Sequence, residues 1–287
     1  MPGASRVATP RVSPQPARPT PATGWVAVAV VLTAVALPVV AVALRALRPD
    51  GSWSTDAVEQ ILGSARTWRL VAVTVGQAAV SCVVTVAVGV PVSWVLARYR
   101  FVGRGVLRTV AMVPFVLPTV VVGAAFASLL GPRGLVDARG TWWAIVAAHL
   151  CFNLAVVVRT VGAALAGTDP DLEAAARLLG AGSLRVLRSV VVPAVAPAVA
   201  AAAVVVFLFC LTSFGVIVIL GGGSVSTVEV EIWTRATSQF DLSGAGVLCM
   251  LQLVAVVATL AVHGRIVRSA TRRAGRSARR APVARRA

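Results

Sequence analysis

The sequence predicts an all-α membrane protein with six transmembrane helices, on three observations. Hydrophobic residues make up 58% of the chain and charged residues only 13%, which puts it in the membrane class. The apolar residues gather into six runs, each long enough to cross a hydrocarbon layer that needs ~20 helical residues. Arginines interrupt those runs and do not scatter through them.

Residues 1–23 are rich in Pro, Ala, Ser and Arg, cannot bury a core, and are expected to form a disordered tail. The first span is read at 24–44. Its arginine-bearing lead, apolar run and Ala41-Val42-Ala43 also fit a cleavable signal peptide, but the run is long for one and further spans follow, so it is read as an anchor. After a polar connection with Asp50, Asp56 and Glu59, a second span covers 67–97, longer than a bilayer requires and so expected to tilt or protrude. The basic loop Arg98-Tyr99-Arg100-Phe101, with Arg104 and Arg108, leads to a third span at 110–130, where Pro114 and Pro118 predict a kink. The fourth span is 142–165, the fifth 193–220 and the sixth 243–262, with an Arg-rich tail at 266–287. The six-helix domain thus occupies 24–265, its core 67–262.

Arginine placement orients these spans. With the N-terminus inside, the inner segments hold Arg6, Arg11, Arg18, Arg98, Arg100, Arg104, Arg108, Arg159, Arg177, Arg185, Arg188 and the tail arginines. The outer segments hold only Arg45, Arg48, Arg66, Arg69, Arg133, Arg139 and Arg235, so both termini are expected in the cytoplasm. A formal charge of +17 also raises nucleic acid as a partner, but basic residues flanking spans favour lipid, and no nucleic acid is expected. Every basic residue is an arginine, so a Walker A loop with its Gly-Lys-Ser/Thr is excluded. Cys82, Cys151, Cys210 and Cys249 lie in separate runs without CxxC spacing, and His149 and His263 are far apart. No metal, cofactor or catalytic constellation is expected, and the chain reads as no enzyme.

Polar residues inside spans are the candidates for a solute pathway. Thr74, Gln77, Ser81 and Thr85 share one face of the second span, and His149 and Asn153 share one face of the fourth. Thr212 and Ser213 precede Phe214-Gly215 in the fifth, and Gln252 lies in the sixth. Gln77, Ser81, Asn153, Thr212 and Ser213 are named as pathway candidates, against the alternative that each simply hydrogen-bonds neighbouring helices together.

The segment 169–193 stands apart from the apolar runs. Asp169 is placed to cap a helix that Pro170 opens, and Leu172, Ala175, Ala176 and Leu179 form an apolar stripe beside a Glu173–Arg177 i,i+4 pair. Gly180 and Gly182 end that helix, Ser183 caps a second, and Pro193 opens the next span.

This segment resembles the cytoplasmic "EAA" loop of permease subunits of binding-protein-dependent ABC importers, with Gly180 and Pro193 at the family spacing. Ala174 occupies the family's Glu position, Glu173 lies one residue earlier, and Val192 replaces the Leu before the proline. From about Leu70 to Gln252 the chain is similar to the first half of permeases for ferric iron and thiamine, through LARYRFVGRGVLR, VPFVLPTVVVG, TSFGVIVILGG and VEVEIW.

The resemblance implies a type I ABC importer permease bundle in the bacterial plasma (inner) membrane, with 169–193 as its coupling-helix loop. It implies three protein partners: a cytosolic ABC ATPase dimer, an extracytoplasmic solute-binding protein, and a second permease subunit, identical or homologous. Glu173, Ala174, Ala175, Arg177, Gly180, Leu184 and Arg188 are the implied ATPase contacts, with Pro193 fixing the entry to the next span. The implied solute is ferric iron or thiamine, with polyamine, sulfate and molybdate relatives close behind. The rival readings are a secondary carrier or channel working without an ATPase, and a membrane scaffold.

Overall fold

The computed structural model describes residues 21–48 and 51–280, and among them there is helix but no strand. The expected disordered tail lies almost wholly outside the described residues. In chain order the helices are α1 (Pro21–Leu47), α2 (Asp56–Gly63), α3 (Ala65–Arg98), α4 (Arg104–Val116), α5 (Thr119–Leu129), α6 (Trp142–Ala166), α7 (Pro170–Leu178), α8 (Ser183–Val186), α9 (Val192–Leu211), α10 (Gly215–Leu220), α11 (Val228–Thr234) and α12 (Leu242–Arg280). Five rods, beginning in α1, α3, α6, α8 and α12, are each long and apolar enough to span a membrane.

Side-chain bonds give the direction of each rod. Ser81 Oγ meets His149 Nδ1 at 3.0 Å, Ser93 Oγ reaches Val157 O at 3.4 Å, and Arg98 Nη2 reaches Thr168 Oγ1 at 3.1 Å. Residue numbers rise together, so α3 and α6 run parallel. Gln77 Nε2 donates to Cys210 O at 2.7 Å while Cys82 Sγ lies 3.1 Å from Ala203 O, so α9 runs against them. Parallel neighbours require the chain between them to return across the bundle. That return is α4 and α5: Arg104 Nε bonds Leu96 O at one end, and Gly140 N bonds Leu220 O at the other. Six crossings result when this bent pair counts as one.

Three sequence expectations change. The third span is broken, not kinked, with α4 and α5 meeting at 108°. Leu117 precedes a proline and is pushed out of the helical region, and both it and Pro118 are extended, at ψ 145° and 139°. The fifth span ends at Leu211, not Leu220, because Thr212–Phe214 leave the helix before α10 begins. Pro193 opens no new helix either. α8 runs through a π turn at Leu187–Val191 directly into α9, and Val192 N bonds Leu187 O in the five-residue pattern of that turn. Pro193 lacks an N–H and would crowd the carbonyl four residues back, and the wider turn relieves both problems. The cap before α8 is Gly182, without a side-chain bond, and not Ser183.

The largest core cluster lies where α3, α6 and α9 meet, around Ala78, Val157, Val161, Val206 and Cys210. A second packs α10 on α5 and α6 through Val122, Ile145, Val216 and Leu220. α1 lies outside both and buries only Ala46 among its described side chains, against α2 and α12.

Candidate functional site

The α7–α8 loop is built as its sequence suggests at the start. Asp169 Oδ1 accepts the Asp171 N–H at 2.9 Å, and Pro170 follows at the head of the helix. Gly180, at φ +83°, turns the chain back, with Gly180 N on Arg177 O and Ala181 N on Ala176 O.

Of the apolar stripe, Leu172 and Leu179 face outward and Ala176 is half-buried; Leu178 and Leu179 are each 89% exposed, and Leu184 is exposed as well. Ala174, Ala175, Arg177, Gly180, Arg188 and Pro193 are also exposed. Glu173 is buried at 5%. Arg98, at the last turn of α3, donates to Glu173 Oε1, and Arg177 Nη2 lies 3.5 Å from Oε2. The Arg98 guanidinium also stacks over Trp94, 5.1 Å from the ring centre. Glu173 therefore ties the loop to the end of α3, and its carboxylate is not presented to a partner.

The pathway candidates come together inside the bundle. Gln77, Ser81, Asn153 and Ser213 are buried, and only Thr212 keeps partial exposure, with its hydroxyl on Leu208 O. Ser81 Oγ, His149 Nδ1, His149 Nε2 and Ser213 Oγ form a continuous chain, the second contact being 2.8 Å. Asn153 Nδ2 bonds His149 O, and Gln252 Nε2 bonds Leu211 O at 3.3 Å. These groups bind α3, α6, α9 and α12 to one another, the interhelical role weighed against the pathway role.

Sequence reasoning missed Arg98 as the partner of Glu173, since nothing local links residues 75 apart. It also missed the Phe115, Phe152 and Phe209 cluster, with ring centres 5.4–6.5 Å apart. Among the described residues no group of three or more His, Cys, Asp or Glu is placed to hold a metal, and the four cysteines are unbridged.

Residues 89–271 match the family model described as "Binding-protein-dependent transport system inner membrane component". The chain belongs to this family. It is a multi-pass permease subunit of an ABC importer, and ATP hydrolysis lies on a separate subunit. The permease is 28% identical to a molybdenum transport system permease of Escherichia coli, over 73% of this chain and 97% of that one. It is 34% identical to a sulfate permease of Salmonella typhimurium, over 58% of this chain and 64% of that one. It is 30% identical to a thiamine permease of Brucella abortus, over 68% of this chain but 38% of that one. The fold matches a bacterial ABC transporter that imports the acidic polysaccharide alginate, at TM-score 0.69 and 14% identity over 88% of this chain and 96% of that one. The type I importer-permease fold implied by the resemblance is therefore the fold observed. Thiamine is among the solutes these relatives' names carry, beside molybdenum and sulfate, whereas iron is not.

Proposed function

We propose that this permease moves a small solute handed over by an extracytoplasmic binding protein, across a bacterial plasma membrane, by alternating access driven from a cytosolic ATPase dimer. A second permease subunit, identical or homologous, completes the translocation unit. The end bearing α7 and α8 is the cytoplasmic one, and both termini lie there. Arg98, Arg100, Arg104, Arg108, Arg177, Arg185, Arg188, Arg265 and Arg268 all belong to this end, which supports that orientation. Ferric iron and thiamine are the solutes the motifs favour, with molybdate, sulfate and polyamine as the alternatives.

One observation carries the coupling role: two leucines with almost their whole surface in solvent, at the tip of a loop whose acid is turned inward. An apolar knob of this kind fits a groove on a partner, and the unbroken rod from α8 into α9 would pass the partner's rigid-body motion to a span. A secondary carrier is not favoured, because among the described residues no Asp or Glu occurs in a spanning helix to couple an ion. Replacing Leu178 and Leu179 together by Asp tests the coupling role. Co-purification of the ATPase and solute uptake should both be lost while membrane insertion is unchanged; a variant that keeps either one refutes it.

A further inference from the structure

The two glutamates of α11 face different surroundings. Glu231 is 4% exposed and paired with Arg66 at 3.4 Å and Arg235 at 3.0 Å, and Arg235 also holds Asp241 at 2.7 Å. Two arginines are thus used up on two acids. Glu229 is half-buried and, among the described residues, has no ion-pair partner. Its neighbours are the Gln252 amide and Cys249 of α12, and burial pushes its carboxyl up from the ordinary carboxylate range while the amide offsets part of that.

Gln252 donates to Leu211 O, the last residue of α9, and Phe214 in the break packs on Trp233 of α11, so α11 lies beside the break between α9 and α10. The C-terminal end of a helix carries partial negative charge. α9 has 20 residues and α10 only 6, so the negative end dominates here. Two rings complete the surroundings. Trp233 lies one helical turn from Glu229 on α11, is 45% exposed, and packs on Phe214 with ring centres 5.9 Å apart.

A carboxylate, a helix C-terminus and a partly exposed indole all attract positive charge, and none of them suits a tetrahedral oxyanion. Building on the importer function proposed above, we propose that Glu229 with Trp233 at the α9–α10 break forms a charge-selecting site that admits cationic, ring-bearing solutes and rejects oxyanions. Thiamine is a solute of this class; molybdate and sulfate are not.

The test is uptake by cells lacking the native permease gene and supplied with the full chain, with labelled thiamine, molybdate and sulfate as separate probes. The wild-type chain should restore thiamine uptake. Glu229→Gln should cut the initial rate about tenfold at equal inserted amount, with Glu229→Asp retaining most of it, and Trp233→Phe should outperform Trp233→Ala. Restored uptake of molybdate or sulfate, or thiamine uptake by Glu229→Gln at the wild-type rate, would overturn the site. The Leu178 and Leu179 variant run beside them separates the two conclusions: its loss of uptake sustains the importer function whichever solute is carried.

Discussion

Arg98→Ala should free the α7–α8 loop from the body of the permease. The change leaves Glu173, 5% exposed, with only Arg177, whose side chain is 60% exposed and 3.5 Å away. Removing one partner of a fully buried ion pair costs about 3–5 kcal/mol, but Arg98 is itself 27% exposed and Arg177 remains, so about 2 kcal/mol is the fitting figure. This raises the population of the opened loop about thirtyfold, since each 1.4 kcal/mol is about tenfold. Tryptic cleavage after Arg177, Arg185 and Arg188 in the purified full chain reads that population when opening is fast compared with cleavage. Cleavage should quicken about thirtyfold, and Arg98→Met with Glu173→Leu should restore most of the protection by removing both charges together. A single variant cut at the wild-type rate, or a double variant as labile as the single, would refute the bracing role of Glu173.

Other substitutions probe separate parts of the fold. Gly89→Ala would put a methyl 2.7 Å from the Val157 side chain, where α3 crosses α6, and should lower thermal stability in detergent by about 1–3 kcal/mol, with Val157→Ala relieving it. A Cβ at position 180 meets no atom within 4 Å, but Gly180→Val must adopt φ +83°, at a strain of about 1–3 kcal/mol; insertion should persist while uptake fails. His149→Leu strands the buried hydroxyls of Ser81 and Ser213, each costing about 1–3 kcal/mol, and adding Ser81→Ala and Ser213→Ala should recover most of the lost melting temperature.

Composition and run length were enough for the fold class, because burying backbone in hydrocarbon leaves so few options that 20 apolar residues nearly dictate a helix. The polar face of α3 was legible for the same reason: Gln77, Ser81 and Thr85 recur at helical spacing, and all are buried. What failed was local geometry inside uniformly apolar runs. The exit from the helix at Thr212–Phe214 is held by Ser213 on His149 and Phe214 on Trp233, contacts that span many residues and leave no periodic trace. The buried acid of α7 has a similar cause. Glu173 beside an apolar stripe reads as a surface acid, and only the distant Arg98 explains why it is inside while Leu178 and Leu179 are exposed.

The shared direction of α3 and α6 constrains how the chain can be assembled at the ribosome. The face of α3 bearing Gln77, Ser81 and Thr85 enters the bilayer before any of its later companions has been synthesised. Its principal companion cannot arrive until residues 99–141 have emerged and crossed back. For that interval the amide and hydroxyls must be sheltered by the insertion machinery or by water at its rim, so slowing translation there should expose the nascent chain to quality-control proteases.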